Sequence, residues 1–178
     1  MSAAPARIVL VGFMGAGKST IGAILAKRLG YAFEDMDRRI EARAGRRIAD
    51  IFREDGEEAF RALELEEARL VAGLEHCVVA AGGGAFTRPA TREALQQGAV
   101  TVFIRCSAEA LFARVGHDRS RPLAGNRDIM RALLAEREPS YSLADVSVDG
   151  SVGSPQQVAD RVMALVRGRI VDRTPRRP

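Results

Sequence analysis

The chain is built around one segment, Gly12-Phe13-Met14-Gly15-Ala16-Gly17-Lys18-Ser19-Thr20, whose pattern is G-x-x-x-x-G-K-S-T. The short apolar run before it, residues 8–11, is typical of a buried parallel strand. The run after it, residues 21–29, repeats apolar residues every four positions, as one face of a helix requires. A strand, a glycine-rich turn and a helix in this order indicate a phosphate-binding loop. The alternative is a glycine-rich turn that carries one surface lysine.

The residue types in this segment suit an anion with several phosphates. Its glycines let the backbone approach the anion closely, and the helix N-terminus adds positive potential. We expect Lys18 to reach the β- and γ-phosphates of a nucleotide and the Ser19 hydroxyl to bind Mg²⁺. The candidate nucleotide-binding residues of the loop are Gly15, Ala16, Gly17, Lys18, Ser19 and Thr20.

Length and composition predict one globular domain spanning residues 1–178. The chain is 47% hydrophobic and 28% charged, which is ordinary for a globular protein with a full core. It has no apolar run near the ~20 residues that cross a membrane, and residues 1–6 lack the features of a signal peptide. We therefore expect no membrane partner. Cys77 and Cys106 are isolated in apolar surroundings, so we expect them to be buried thiols in a reducing cytoplasm.

The net charge of +4 is concentrated in the last ten residues, 169–178, which hold four arginines against one aspartate. We expect this proline-containing segment to be a frayed basic tail. The rest of the chain is nearly neutral, has few aromatic residues and lacks tryptophan. These features argue against a nucleic-acid surface, although a non-catalytic nucleotide-binding or nucleic-acid-binding module remains a second hypothesis.

Hydrophobic patterns predict strands and helices in alternation. The predicted strands are 7–12, 31–35, 76–81, 99–105 and 145–149, and the predicted helices are 18–29, 37–44, 47–54, 57–74, 89–97, 108–114, 128–138 and 155–167. Such alternation predicts a parallel sheet flanked by helices. Ligands of such sheets bind at the carboxyl ends of the strands.

Two acidic residues follow the second predicted strand. Asp35 and Asp37 are two positions apart, so in an extended chain they share one side. One carboxylate could hold Mg²⁺ through water, and the other could accept a proton from a substrate hydroxyl. The alternative for Asp37 is that it caps the next helix.

The helix predicted over residues 57–74 pairs Arg61 with Glu64, three positions later. On spacing alone, a surface ion pair is the favoured interpretation. We expect Phe60, Leu63, Leu70, Val71 and Leu74 to form its buried stripe.

Three glycines, Gly82, Gly83 and Gly84, directly follow a predicted buried strand. They are costly to order, so close approach of a ligand is one explanation and a flexible turn is the other.

A polar stretch rich in arginine, residues 115–127, separates two predicted helices and suits a lid. Its arginines could stabilise a phosphoryl group during transfer, and a solvated surface loop is the alternative. Beyond it, Pro139 is expected to end the next helix. Arg137 would then contact that helix's own terminal carbonyls or project toward the site.

With these residues in view, the chain resembles the shikimate kinase family over about residues 8–166. The resemblance rests on the order of several motifs: the phosphate-binding loop, Asp35-Met36-Asp37, Gly56-Glu57 with Phe60-Arg61 and Glu64, Gly82-Gly83-Gly84, Arg121-Pro122-Leu123, and Arg137 with Pro139 and Tyr141. It implies an α/β fold of three layers, the P-loop kinase fold of nucleoside monophosphate kinases. Its five-stranded parallel sheet would have the order 2-3-1-4-5, with a substrate-binding segment near residues 35–63.

The same resemblance implies the reaction ATP + shikimate → ADP + shikimate 3-phosphate, with Mg²⁺ as cofactor, in a monomer. The implied catalytic residues are Asp37, Lys18 and Arg121. The implied shikimate-binding residues are Asp37, Arg61, Glu64, Arg137 and the backbone of Gly82, Gly83 and Gly84. Ser19 and Asp35 would hold the metal, Arg121 would contact the transferred phosphoryl group, and Arg114 would pack against adenine.

Two positions depart from the family pattern. Ala81 stands where members often have threonine, and residues 150–155, the expected adenine loop, contain no arginine where some relatives carry one. A related kinase for another sugar-like acid, such as a gluconate kinase, is a close alternative within the same class, because two arginines favour a carboxylate substrate without naming it.

Overall fold

The computed structural model describes residues 5–115 and 126–167. Five strands within these residues form one parallel sheet in the order β2-β3-β1-β4-β5, flanked by helices. The strands are β1 Arg7–Val11, β2 Ala32–Asp35, β3 Cys77–Ala80, β4 Val100–Arg105 and β5 Val146–Asp149. The helices are α1 Lys18–Leu29, α2 Met36–Ala44, α3 Ile48–Glu54, α4 Glu57–Ala72, α5 Pro89–Gln96, α6 Ala108–Val115, α7 Arg127–Tyr141 and α8 Pro155–Val166, with a short 3₁₀ helix at Ala85–Thr87.

The central strand β1 lies at the heart of the core. Val9 pairs with Val79 of β3 on one side and with Thr101 of β4 on the other. Every residue of β1 is buried, as expected for a parallel strand covered on both faces. Because all five strands run in the same direction, their carboxyl ends and the loops that follow them meet at one edge of the sheet.

The predicted α/β class and strand order are confirmed. The five predicted strands and eight predicted helices all form, and most bounds agree within a residue or two. The 3₁₀ helix that follows the three glycines was not predicted. Cys77 and Cys106 are free thiols buried in the core, as expected. No helix in the described part of the chain is long and apolar enough to span a bilayer.

The predicted end of α7 at Pro139 is wrong, because the helix continues through this proline to Tyr141. A proline inside a helix removes one backbone hydrogen bond and crowds the preceding turn. The packing of Tyr141 offsets that loss, since its side chain is fully buried and its ring lies 5.3 Å from the ring of Phe103 on β4.

The predicted buried stripe of α4 needs a second correction. Leu70 is 45% exposed, whereas Glu64 and Glu67 are buried. Phe60 and Val71 are buried as expected, and Leu63 and Leu74 are partly buried. A pattern built from apolar residues alone misplaces this face, because two of its inward positions carry carboxylates that are paired with arginines.

Some expectations lie outside the described residues. These are Arg121 with nearly all of the expected lid, residues 116–125, and the basic tail, residues 169–178.

Candidate active site

The phosphate loop, residues 12–20, connects β1 to α1 at the carboxyl edge of the sheet. Gly12 has φ of +143°, and a Cβ atom there would lie 2.7 Å from the carbonyl oxygen of Ile104. Both the conformation and the contact require glycine. The first turn of α1 carries no acidic side chain, so its free amide groups keep their full attraction for an anion.

The Lys18 side chain folds back over this loop. Its Nζ donates hydrogen bonds to the carbonyl oxygen of Gly12 at 2.7 Å and to that of Phe13 at 2.9 Å. The ammonium group is therefore held beside the loop's own backbone.

Ser19 and Asp35 meet next to the loop. The Ser19 hydroxyl donates to Oδ2 of Asp35 at 2.7 Å. The other carboxylate oxygen of Asp35 accepts from the backbone N–H of Arg38 at 3.3 Å and caps α2. The alternative that Asp37 caps this helix is therefore wrong, because Asp35 does so.

This pair of oxygen donors fits Mg²⁺, which prefers hydroxyl, carboxylate, water and phosphate oxygens. In the described residues, no group of three or more His, Cys, Asp or Glu side chains is arranged to hold a metal. That arrangement is not required, because Mg²⁺ usually binds through one or two carboxylates together with substrate phosphates.

Asp37 does not share an extended segment with Asp35, as the spacing had suggested, because α2 begins between them at Met36. Its carboxylate instead approaches the end of β3. A Cβ atom on Gly82 would lie 2.8 Å from Oδ1 of Asp37 and 3.0 Å from Oε1 of Glu64. Two carboxylates from different helices therefore border the same glycine.

Glu64 is 1% exposed, and burial raises the pKa of its carboxyl group. The positive charge of Arg61 and its hydrogen bond oppose this rise, and the nearby carboxylate of Asp37 adds to it. A buried carboxylate of this kind remains charged only while its cationic partner stays in place.

Arg61 provides that partner. Its Nη1 donates to Oε2 of Glu64 at 2.9 Å, and its Nε and Nη2 both donate to Oε1 of Glu57. The Arg61–Glu64 ion pair thus exists, but it is not on the surface, since the Arg61 side chain is 14% exposed. The guanidinium lies against Gly84, where a Cβ atom would be 2.6 Å from Nη1.

Arg137 reaches the same place from α7. Its Nη1 lies 3.5 Å from the carbonyl oxygen of Gly83, and its Cζ lies 5.8 Å from the centre of the Phe13 ring in the phosphate loop. Arg137 therefore projects toward the site, which is one of the two positions that the sequence left open for it.

The three glycines join these parts into one crevice. A Cβ atom on Gly83 would lie 3.6 Å from the backbone nitrogen of Met14 in the phosphate loop. Gly82 borders the two carboxylates, and Gly84 borders Arg61. We call Asp37, Arg61, Glu64 and Arg137, together with Gly82–Gly84, the charged cluster. The phosphate loop and the charged cluster therefore lie next to each other.

Arg114 lies on the other side of the phosphate loop. Its Nη2 donates to the carbonyl oxygen of Gly150 at 2.6 Å, and its Nη1 lies 3.4 Å from that of Ala16. The loop that begins at Gly150 also receives an arginine from α8. Arg161 Nη2 donates to the carbonyl oxygen of Val152 at 2.5 Å and to that of Asp149 at 2.8 Å. Residues 150–155 thus contain no arginine of their own, and Arg161 of α8 supports the backbone of this loop.

The family model for shikimate kinase matches residues 14–167. The chain belongs to the shikimate kinase family. Shikimate kinase from Halorhodospira halophila is 43% identical over 169 residues, which cover 93% of this chain and 96% of that protein. The enzyme from Geobacter sulfurreducens is 41% identical over 163 residues, or 90% of each chain.

A solved structure of shikimate kinase from Acinetobacter baumannii, in complex with shikimate, superimposes with a TM-score of 0.86. It is 34% identical and covers 90% of this chain and 92% of its own. The resemblance to shikimate kinases is therefore confirmed, and with it the P-loop kinase fold. As a member of this family, the protein is an ATP-dependent phosphotransferase.

The sequence predicts no role for two residues: Tyr141, which borders the charged cluster, and Glu67, which pairs with arginines of α2. Tyr141 was read only as part of a motif, although its position four residues after Arg137 places both on one helix face. Glu67 follows Glu64 by three positions, and two glutamates at this spacing are typical of a solvent-exposed helix face. Its signal was indirect: Arg39 and Arg43, four apart on α2, are spaced to bind one carboxylate together.

Proposed function

We propose that the protein transfers the γ-phosphoryl group of ATP to the 3-hydroxyl of shikimate, giving shikimate 3-phosphate and ADP, on the route to chorismate and the aromatic amino acids. One observation carries the proposal: Asp37, Arg61 and Arg137 meet at three glycines that lie beside the phosphate loop. A hydroxyl nucleophile needs a nearby carboxylate, and a small carboxylate substrate needs planar cationic donors. Both lie within reach of a triphosphate bound at the loop.

In this proposal, the shikimate carboxylate binds Arg61 and Arg137. Arg61 keeps its orientation through Glu64, and the ring lies along the backbone of Gly82–Gly84, where the absence of side chains leaves room. Asp37 contacts the ring hydroxyls and takes the proton of the attacking one. Bidentate guanidinium contacts supply direction as well as charge.

At the phosphate end, the new bond joins the substrate oxygen to the γ-phosphorus as the bond to the bridging oxygen of ADP breaks. Lys18 moves from its backbone acceptors to the phosphates, and Arg121 is assigned to the group in transfer. Gly15, Ala16, Gly17 and Thr20 hold the phosphates, and Arg114 packs on the base. Ser19, and Asp35 through water, hold Mg²⁺, which neutralises phosphate charge when bound.

The remaining assignments are parts of the same proposal. The chain acts as a single kinase domain and as a monomer, in the cytoplasm, with small molecules rather than nucleic acids or membranes as partners. The two buried free thiols support a reducing compartment.

A coupled assay of ADP release tests the function with shikimate, gluconate and nucleoside monophosphates as acceptors. We expect turnover with shikimate at a kcat/KM at least ~100-fold above the others, because hydrogen-bonding sites reject acceptors that leave buried groups unpaired. The Lys18→Ala variant is the matched control for background ATP hydrolysis. Good turnover with gluconate and none with shikimate would replace this proposal by the gluconate kinase alternative.

A further inference from the structure

Tyr141 is the last residue of α7 and the largest fully buried side chain among the described residues. Its ring packs on Phe103, and its hydroxyl donates a hydrogen bond to the carbonyl oxygen of Gly83. Burial raises the pKa of this phenol to about 12, against the opposing positive charge of Arg137. The phenol therefore keeps its proton at neutral pH, so its hydroxyl can donate a hydrogen bond.

The Gly83 carbonyl is held differently from its two neighbours. The carbonyl oxygen of Gly82 accepts from the backbone N–H of Ala85, and that of Gly84 accepts from the N–H and hydroxyl of Thr87. Both of these contacts lie within one local turn. The carbonyl of Gly83 instead receives its donors from α7, more than fifty residues later.

The two donors from α7 differ in strength. The contact from Nη1 of Arg137 is 3.5 Å long, at the limit of a hydrogen bond, so little is lost when this arginine turns to a ligand. The hydroxyl of Tyr141 makes the closer contact to the carbonyl, and its oxygen also accepts a side-chain hydrogen bond from Arg137. When Arg137 binds a carboxylate, Tyr141 is the donor that keeps the Gly83 carbonyl satisfied.

The orientation of that carbonyl matters because a peptide unit is planar. Fixing the Gly83 carbonyl also fixes the N–H of Gly84, which lies in the same plane and points in the opposite direction. Three consecutive glycines have no side chains to hold them and many conformations to lose. The adjacent Gly82 and Gly84 border Asp37, Glu64 and Arg61 so closely that a small rotation would disturb all three contacts.

We propose that Tyr141 is a positioning residue for the acid substrate: its hydroxyl holds the Gly83 carbonyl and thereby fixes the glycine backbone against Asp37, Arg61 and Arg137. The inference rests on the proposed function, since it concerns the acceptor of that reaction. The continuation of α7 past Pro139 serves this contact, because a helix that ended at the proline would not carry Tyr141 to the glycines.

The test is Tyr141→Phe, which removes only the hydroxyl, with Tyr31→Phe as the matched control. Tyr31 is the other tyrosine of the chain, and it lies between α1 and β2, where its ring contacts His76. We expect Tyr141→Phe to raise the KM for shikimate by about fivefold or more and to change the KM for ATP less than about twofold. The reason is that the carbonyl that loses its donor, that of Gly83, belongs to the part of the site proposed to bind shikimate. The control should change neither.

A purely structural tyrosine would give another result. Tyr141→Phe would then lower the melting temperature and leave the KM for shikimate unchanged, and this outcome overturns the proposal. Equal rises in both KM values overturn it as well, because they indicate a general loss of order. If shikimate is not phosphorylated by the wild type but another acid is, the proposed function fails. The positioning role is then judged on the KM for that acid.

A second measurement leaves Tyr141 in place. The chain has two tyrosines and no tryptophan, so Tyr141 is the only tyrosine emitter in the Tyr31→Phe protein. We expect its fluorescence to change when shikimate is added without nucleotide, because Arg137 leaves the shared carbonyl. Emission that stays constant at saturating shikimate overturns the proposed positioning role, even if Tyr141→Phe does not fold.

Discussion

The phosphate loop takes its shape from its own backbone, whereas the charged cluster is assembled by side chains from segments far apart in sequence. Glycines in the loop adopt positive φ values, and Lys18 bonds to carbonyls of the same loop. In the charged cluster, the acidic and basic groups come from α2, α4 and α7 and meet at glycines that follow β3. The two regions are adjacent, but backbone conformation shapes the first and the packing of side chains from separate helices shapes the second.

This difference suggests how each region fails. The phosphate loop tolerates few substitutions, since a residue with a side chain cannot adopt the conformation of Gly12 without strain. The side chains of the charged cluster come from three helices, so replacing one of them leaves the backbone of the phosphate loop unchanged. We therefore expect changes in the loop to affect folding and nucleotide binding together, and changes in the cluster to affect binding and phosphorylation of the acid substrate while ATP binding is largely retained.

The largest effect is expected from Gly12→Ala. The new Cβ would combine a strained φ of +143° with a 2.7 Å contact to a backbone oxygen of Ile104, so we expect a loss of at least ~3 kcal/mol in the free energy of unfolding. Urea denaturation and ATP titration calorimetry measure the two consequences. The matched control is Gly45→Ala at the end of α2, where φ is +65° and no atom lies within 4 Å of the new Cβ.

The control should lose only ~1 kcal/mol, the usual cost of a left-handed conformation for alanine. Its ATP affinity should not change. Equal losses for the two variants would show that the loop is no more demanding than an ordinary helix end, and the contrast between the regions would disappear.

The next effect in size is expected from Asp37→Asn, which removes a proton acceptor and keeps the shape. We expect kcat to fall by at least ~10², the usual contribution of a positioned acid–base group, while ATP binding stays nearly intact. Steady-state kinetics with both substrates provide the measurement. Unchanged turnover would remove Asp37 from the mechanism.

Arg61→Ala is expected to weaken the binding of shikimate without weakening the binding of ATP. Hydrogen bonds to charged groups contribute about 1.5–3 kcal/mol, so the KM for shikimate should rise roughly 10- to 100-fold. The KM for ATP should change little. A fall in ATP affinity alone would show that Arg61 serves the phosphate end and that the acid side is misassigned.

The contrast also explains which features the sequence could predict. The phosphate loop, the strands and most helix bounds follow from local patterns, because glycine spacing and hydrophobic periodicity act within a few residues. Lys18–Leu29 was predicted to the residue. Asp37, Arg61 and Arg137 were recognised as candidates through their motifs, but their meeting at three glycines depends on the sheet order.

The predictions that failed concern features that tertiary contacts determine. Proline is a strong local signal, yet α7 passes Pro139 because Tyr141 gains a buried position against Phe103. The apolar stripe of α4 omitted Glu67, whose side chain is fully buried, because the arginines that neutralise it lie on α2. No window within α4 contains that information, so propensity and periodicity were overridden by packing.

The smallest effect concerns that hidden support of the charged cluster. Glu67 accepts hydrogen bonds from Arg39 and, at 2.9 Å, from Arg43, so it ties α4 to α2, the helix that carries Asp37. Glu67→Gln should lower the free energy of unfolding by about 2 kcal/mol, less than for a fully buried pair, because both arginines keep other carboxylate partners and stay partly exposed. The matched control is Glu66→Gln, which removes a 55% exposed partner of Arg43 and should cost under ~0.5 kcal/mol.

The pH dependence distinguishes this ion pair from simple packing. Burial raises the pKa of Glu67, but the hydrogen bonds and charges of Arg39 and Arg43 outweigh it and lower the pKa below its ordinary value of 4.5. The stabilisation is therefore fully present above about pH 4.5 and is lost as the pH falls through the lowered folded-state pKa. The difference between the wild type and Glu67→Gln should shrink in acid, while that for Glu66→Gln stays near zero. A difference that is constant from pH 7 to pH 3 would mean that Glu67 acts by shape, and the claim that charge holds α4 to α2 would be wrong.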